Sequence, residues 1–141
     1  MFPLRGEHII DLIPQRSPMV MIGGLLAYTV DTVVVDFEIM DDNLFVVSGR
    51  LQESGLLEHM AQSVAAHTGY GYYIRKEKAP TGYIGSIQKA DINILPLVGQ
   101  ILTTKVELVQ EFMGVTLVNI ETYIGEEYVA SAQMKTVIAS N

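Results

Sequence analysis

A single long segment with helical spacing, followed only by segments with strand alternation, limits the folds open to this chain. The helical segment is predicted to begin with Ser54 as its N-cap and to end near Tyr72 or Tyr73. One continuous apolar face recurs along it and is expected to be the centre of the core: Leu57, Met60, Ala61, Val64, Ala65 and Thr68. Strand candidates follow at residues 81–92, 100–112, 115–124 and 128–139. Strands grouped apart from a helix are typical of the α+β class, which predicts a strongly bent antiparallel sheet wrapped around one long central helix.

Period-two alternation indicates which strands bury one face. Between residues 19 and 40 the chain is strand-like, with a turn expected at Asp31-Thr32 and one apolar face made by Val33, Val35, Phe37 and Ile39. A later strand alternates in the same way, and its apolar side carries Leu102, Thr104, Val106 and Leu108. A short opening helix over residues 6–13 is expected to stop at Pro14. Gly69 and Gly71 are expected to fray the end of the long helix.

Length and composition describe one compact domain. The 141 residues fit a single domain over 1–141, and 49% hydrophobic against 18% charged residues exclude a disordered chain and favour an oligomer. A net charge of −7 disfavours nucleic acid as a partner. The chain has no cysteine, which removes thiol chemistry, and it shows no signal peptide and no run long enough to span a membrane. We therefore expect a cytoplasmic protein.

Glu58 is the best candidate for a catalytic residue. It is a lone carboxylate in the opening turns of an otherwise apolar helix. A buried charge costs several kcal/mol unless hydrogen bonds or a function offset it. The alternative is a partly exposed acid that the positive end of the helix dipole stabilises.

The histidines are weaker candidates. His59 points about 100° away from Glu58 around a helix, so a catalytic role is secondary to a place on the helix surface or at an interface. His8 and His67 are expected to be structural, and their spacing predicts no metal site.

Two motifs carry a resemblance that covers nearly the whole chain. One is in the opening segment and the other on the long helix: Leu12-Ile13-Pro14-Gln15-Arg16-Ser17-Pro18 and Glu58-His59-Met60-Ala61-Gln62. Together with the order of elements they resemble the hotdog-fold 3-hydroxyacyl-acyl-carrier-protein dehydratases. Within that family the chain is most similar to the divergent dehydratase subunits of aryl-polyene and related pigment pathways.

The resemblance implies a reaction and a set of roles. A β-hydroxyacyl chain, carried on the phosphopantetheine arm of an acyl carrier protein or coenzyme A, would lose water to give a trans-2-enoyl thioester, with no further cofactor. Glu58 would handle the departing hydroxyl group. Gly55 and the neighbouring amides at the helix start would bind the thioester carbonyl oxygen. Gln62, one turn after Glu58, would orient that carboxylate or the substrate.

One departure from the family bears on the partner. Family members usually carry a catalytic histidine in a His-Phe-Pro-Gly loop, but this chain has none in the corresponding stretch, Leu44-Phe45-Val46-Val47-Ser48-Gly49-Arg50. In these dimers the histidine and the carboxylate meet across the subunit interface. We therefore expect either a homodimer or, on our main hypothesis, a heterodimer in which a histidine-bearing hotdog paralogue completes the site.

Two further segments have expected binding roles. The strand after the helix resembles the one that pairs across hotdog dimers, so the interface and the thioester channel are expected there, with Gly85 and Ser86 as substrate contacts. The basic residues Arg75, Lys76 and Lys78 are a candidate docking site for an acidic carrier protein, against the alternative of a solvated helix end.

Two other functions stay open at this stage. A hotdog acyl thioesterase needs only one helix carboxylate as base or nucleophile and no histidine. A noncatalytic subunit would bind an acyl carrier or stabilise a paralogue. Analysis of the products and replacement of Glu58 separate these functions.

Overall fold

The computed structural model describes residues 2–138 and consists of two helices and nine strands within that range. In chain order these are β1 (Leu4–Arg5), α1 (Glu7–Ile10), β2 (Gly24–Tyr28), β3 (Thr32–Glu38), β4 (Val46–Val47), β5 (Arg50–Leu51), α2 (Glu53–Ile74), β6 (Gly82–Ile92), β7 (Ile101–Phe112), β8 (Val115–Ile124) and β9 (Glu127–Ile138). Neither helix is long and apolar enough to cross a membrane.

Seven strands form one antiparallel sheet in the order β1-β2-β3-β7-β8-β9-β6, and α2 packs against one of its faces. The predicted α+β architecture, one long helix against an antiparallel sheet, is confirmed. Strand β6 lies at an edge of this sheet, and β4 and β5 pair separately as a short hairpin that leads directly into α2. This arrangement places the first turn of α2 against Phe45 and Leu51, and one side of the helix beside the edge strand β6.

Alternating residues of the strands supply the core, as their pattern predicts. Val33 and Val35 of β3 are fully buried, and so are Leu102 and Val106 of the neighbouring β7. The turn before β3 differs slightly from the expectation, because Thr32 already belongs to the strand. Thr29 closes that turn by accepting the Thr32 amide N–H at its hydroxyl oxygen, 3.0 Å away.

The helix α2 begins earlier than predicted, and Ser54 is not its N-cap. The first helical hydrogen bond runs from the Leu56 N–H to the Gln52 carbonyl oxygen at 3.1 Å, so Gln52 is the capping position and Ser54 lies exposed in the first turn. The Gln52 side chain donates instead to the carbonyl oxygens of Val47 and Arg50. The β4–β5 hairpin therefore determines where the helix starts.

The face of α2 that was expected to be the centre of the core is only partly correct. Met60 and Val64 are buried, but Leu57, Ala61, Ala65 and Thr68 are only half-buried. The buried side instead includes polar residues that lie off this predicted apolar face: His59, Ser63 and His67. Each of them has a hydrogen-bond partner, such as the Thr29 carbonyl oxygen 3.0 Å from His67 Nε2, and this offsets the cost of burying it.

The end of α2 does not fray at its glycines. A side chain at Gly69 would overlap the backbone carbonyl of Leu12, so glycine lets the opening segment lie directly on the helix. The helix continues to Ile74 and closes with the N–H groups of Lys76 and Glu77 donating to the carbonyls of Tyr73 and Tyr72, both at 3.0 Å.

The opening helix is shorter than predicted. It covers Glu7–Ile10, and beyond it the N–H groups of Leu12 and Ile13 bond to carbonyl oxygens only three residues back. Arg16 folds back on this turn, and its Nη1 donates to the carbonyl oxygens of Ile10 and Ile13 at 3.2 and 2.7 Å. Arg16, part of the first family-like motif, thus closes the segment that rests on α2.

Candidate active site

Glu58 lies on the half-buried flank of α2, not on a fully buried stripe as its sequence context suggested. Its Oε2 accepts a hydrogen bond from Gln62 Nε2 at 2.8 Å, one helical turn further on. The carboxylate is therefore accessible from solvent on one side and held in place on the other.

Gln62 is fully buried and links Glu58 to the loop before β2. Its Oε1 accepts the Met21 N–H at 2.7 Å, and its Nε2 donates to the Met19 carbonyl oxygen at 2.7 Å. These backbone partners determine which end of the amide is oxygen, because a peptide N–H only donates and a carbonyl only accepts. Since both Nε2 hydrogens are used, the geometry supports orientation of Glu58 by Gln62 rather than a contact with substrate.

His59 is fully buried and belongs to the core, so the expected position on the helix surface or at an interface is wrong. Its Nδ1 carries the proton, because it lies 2.7 Å from the Met21 carbonyl oxygen, which can only accept. Its Nε2 then accepts the Thr104 hydroxyl at 2.7 Å, and the ring stacks on Phe37. With both nitrogens engaged, His59 is not placed to take a proton from a substrate.

Burial also sets the charge of His59. Loss of solvation lowers the pKa of His59 to about 4, against smaller opposing contributions from the Met21 carbonyl and the Asp36 carboxylate. The ring is therefore neutral at pH 7.

A cavity of about 320 Å³ continues the flank on which Glu58 lies. From α2 it is lined by Ala61, Ala65 and Thr68, which follow Glu58 at helical spacing, so the cavity begins about one turn from the carboxylate. Tyr83 and Ile84 at the start of β6 line it from the other side. These small helix residues leave room for a ligand between α2 and β6.

Gln15 is a polar group of this cavity that the sequence analysis did not single out. It lies inside the opening motif and lines the cavity, and its buried Oε1 has no hydrogen-bond partner among residues 2–138. This oxygen can accept a hydrogen bond from a ligand. Its position within the family-like motif was the only signal in the sequence.

Gly55 is explained by packing at the helix start. A Cβ at this position would come within 2.6 Å of Phe45 Cβ and 2.7 Å of Leu51 Cδ1, so only glycine lets the two segments approach. The first N–H that donates within the helix is that of Leu56, so the Gly55 N–H lies one residue before the start of the helical hydrogen bonds. Binding of a carbonyl oxygen by this amide stays a prediction.

Ser86 does not join the cavity. It pairs with Lys135, while its neighbour Ile87 pairs with Met134, a fully buried core residue. Directly opposed residues share a face of the sheet, so Ser86 lies on the face away from α2. Its Oγ is buried without a partner within the described residues. A Cβ added at Gly85, at the register shift just before it, would lie 3.3 Å from a Val137 methyl group.

The three basic residues after α2 are exposed but do not act alike. The Arg75 guanidinium lies over the Tyr72 ring, 4.4 Å from its centre, and forms an ion pair with Glu77 at 3.5 Å. Lys76 occupies the left-handed turn after the helix with φ of 58°. Lys78 lines the cavity described above. Of the three, Lys78 is therefore the one beside the cavity.

The described residues do not meet the requirements of a metal site. No group of three or more His, Cys, Asp or Glu residues within 2–138 is arranged to hold a metal ion.

Comparison with known families gives a match over residues 7–141 to the family described as ApeP dehydratase. The chain belongs to the ApeP-like dehydratase family. The resemblance to hotdog dehydratases inferred from the two motifs is thereby confirmed. No curated protein sequence matches the chain significantly.

Solved structures agree with the fold of an ApeP-like protein. The dehydratase heterocomplex ApeI:P from Xenorhabdus doucetiae aligns with a TM-score of 0.87 and 16% identity, over 94% of this chain and 91% of that one. A hypothetical thioesterase with coenzyme A from Streptococcus pneumoniae has a TM-score of 0.66 and 14% identity, over 83% and 85%. The E. coli PaaI protein from the phenylacetic acid degradation operon aligns with a TM-score of 0.66 and 11% identity, over 80% of each chain. At these identities the likeness concerns the fold, and the predicted hotdog fold is confirmed.

Proposed function

We propose that this chain is the carboxylate-bearing subunit of a dehydratase that acts on a 3-hydroxyacyl thioester carried on an acyl carrier protein. The observation that carries the proposal is Glu58, held by Gln62 at 2.8 Å about one helical turn from a cavity of about 320 Å³. Membership of the ApeP-like dehydratase family supports the reaction type.

The proposed chemistry is the elimination of water. A base removes a proton from C2, the C3–O bond breaks, and the protonated Glu58 carboxyl gives its proton to the departing hydroxyl, which leaves as water. The product is a trans-2-enoyl thioester, and the proton taken from C2 stays on the base. Gln62 presents a donor to Oε2 throughout, which favours the carboxylate that forms.

The base is proposed to come from a second, histidine-bearing subunit. The chain has three histidines, and none of them is among the residues of 2–138 that line the cavity. His59 and His67 are buried in the core, and His8 lies on α1. The fold of this chain resembles that of a dehydratase heterocomplex. The exposed edge strand β6, with Tyr83 60% and Ile87 44% exposed, is the proposed surface for the partner.

The thioester is proposed to enter on a phosphopantetheine arm from an acyl carrier protein. The free Gln15 oxygen suits the amide N–H groups of that arm, and Lys78 beside the cavity suits its phosphate. Arg75 and Lys76 would then meet acidic residues of the carrier. Coenzyme A carries the same arm and is the alternative donor.

Replacement of Glu58 tests the catalytic role. In a complex with the histidine-bearing partner, Glu58→Gln is expected to lower dehydration of a 3-hydroxyacyl carrier protein by about 100-fold or more, because the amide cannot donate the acid proton. Mass spectrometry of the acyl carrier measures the loss of water. Glu53→Gln, an exposed acid in the first turn of the same helix, is the matched control and should stay within about twofold of wild type.

Two outcomes would contradict the proposal. Full activity of the Glu58→Gln complex would leave this chain a noncatalytic role. Strong dehydration by the purified chain alone would exclude a base from a different subunit and indicate a homodimer.

A thioesterase is the second candidate, because a lone helix carboxylate near a cavity also suits thioester hydrolysis. The reaction products separate the two functions. A dehydratase leaves an intact enoyl thioester, whereas a thioesterase releases free acid and free thiol.

A further inference from the structure

Two successive turns of α2 hold the same residue of the loop before β2. His59 Nδ1 donates to the Met21 carbonyl oxygen at 2.7 Å, and Gln62 Oε1 accepts the Met21 N–H at 2.7 Å. Met21 is fully buried, so no water can replace either bond. The position of the Met21 backbone therefore depends on His59 and determines where the Gln62 amide lies.

Gln62 cannot follow Glu58 independently of this loop. One Nε2 hydrogen goes to the Met19 carbonyl oxygen at 2.7 Å and the other to Glu58 Oε2 at 2.8 Å. A shift of residues 19–21 must move the amide with it, because an unpaired peptide group in the core is costly. Such a shift would change the direction from which Glu58 receives its hydrogen bond.

The sheet anchors His59 from the other side. Its Nε2 accepts the Thr104 hydroxyl at 2.7 Å, and the Thr104 oxygen lies 2.7 Å from the Thr122 hydroxyl on the next strand. His59 thus lies between two buried partners, and only the one at Nδ1, the Met21 carbonyl oxygen, leads on through Gln62 to the carboxylate.

We propose that His59 is a positioning residue for Glu58, acting through the Met21 backbone and Gln62. The inference rests on the proposed dehydration by Glu58, and His59 itself touches no substrate. Its task is to keep residues 19–21 where Gln62 needs them.

Two substitutions of His59 separate positioning from packing. The side-chain nitrogen of asparagine reaches the place of histidine Nδ1, and that of glutamine the place of Nε2. His59→Asn therefore keeps the donor to Met21 and loses Thr104, whereas His59→Gln keeps a partner for Thr104 and loses Met21. Thr104→Val, an isosteric change, removes the Thr104 bond from the opposite side and serves as a second control.

Steady-state kinetics of the complex give the first readout. All three variants are expected to unfold at lower urea concentration than wild type, because each breaks a buried hydrogen bond. Only His59→Gln is expected to lower kcat, by about tenfold or more, with KM within about twofold. A structural role alone would lower activity in all three variants in proportion to their loss of stability.

Amide hydrogen exchange of the free chain gives a second readout that needs no turnover. The Met21 N–H is expected to exchange at least about tenfold faster in His59→Gln than in His59→Asn and Thr104→Val, after correction for each variant's free energy of unfolding. Two results would overturn this inference and leave the proposed function intact: wild-type protection of the Met21 N–H in His59→Gln, or equal kcat values in the three variants. A wild-type complex that does not dehydrate overturns the proposed function together with it.

Discussion

His59 is held in one neutral tautomer by two partners of opposite hydrogen-bonding character, a carbonyl oxygen at Nδ1 and a hydroxyl group at Nε2. A second proton on Nε2 would face a Thr104 oxygen that already lies 2.7 Å from Thr122 in a buried site. The residue next to the proposed catalytic carboxylate is therefore a core component, and its protonation is linked to folding.

The pH dependence of stability tests this linkage. The pKa of His59 is lowered from its usual 6.5 to about 4 in the folded chain. As the pH falls, the unfolded chain therefore binds a proton at His59 before the folded chain does. The free energy of unfolding is unaffected by this group above pH 6.5 and decreases as the pH falls toward 4, by up to about 3 kcal/mol. Burial also lowers the pKa of His67, which acts in the same direction.

Urea unfolding at pH 7, 5.5 and 4.5 measures this effect. His59→Asn removes the titrating ring, so its stability should fall less steeply over this range than that of wild type. His8→Gln, on the exposed surface, should keep the wild-type slope. Equal slopes for wild type and His59→Asn would show that His59 is not buried as a neutral ring.

The helix α2 is defined at its ends by contacts with other elements. The β4–β5 hairpin determines its first residue, and the Leu12 carbonyl packs on Gly69 near its last turns. At the C-terminus, Lys76 occupies a left-handed conformation that glycine normally takes, and this strains a residue with a Cβ.

Lys76→Gly is expected to stabilise the chain by about 1 kcal/mol, because glycine adopts the left-handed conformation without steric cost. Urea unfolding at pH 7 measures the change. Lys78→Gly is the matched control, since Lys78 has no positive φ and should gain nothing. A loss of stability in Lys76→Gly would mean that the lysine side chain contributes more than its backbone strain costs.

In the whole molecule, strand β6 forms one of the two edges of the sheet, and its apolar side chains Tyr83 and Ile84 are exposed beside the cavity. Open edges of this kind invite pairing with another chain. For an ApeP-like protein this edge is the proposed place where a second subunit completes the site.

Ile87→Glu is expected to weaken association with the histidine-bearing partner by about tenfold or more, because it places a charge on the proposed interface. Analytical ultracentrifugation of the mixture measures the dissociation constant. Ile101→Glu is the control on β7, since Ile101 is 51% exposed against 44% for Ile87. Equal affinities for both variants would place the interface elsewhere.

Local pattern in the sequence determined the strands, the existence of the long helix and the choice of Glu58, because alternation and helical spacing are properties of neighbouring residues. Helical spacing predicted the burial of Met60 and Val64, but the tertiary structure decided which other residues of α2 are buried. His59, Ser63 and His67 lie off the apolar face that helical spacing predicted, and partners such as Thr29, Met21 and Thr104 make the burial of the two histidines possible. Gln62 meets Met21 across 41 positions of the chain. No local pattern records such a contact, since it exists only once the loop has packed on the helix.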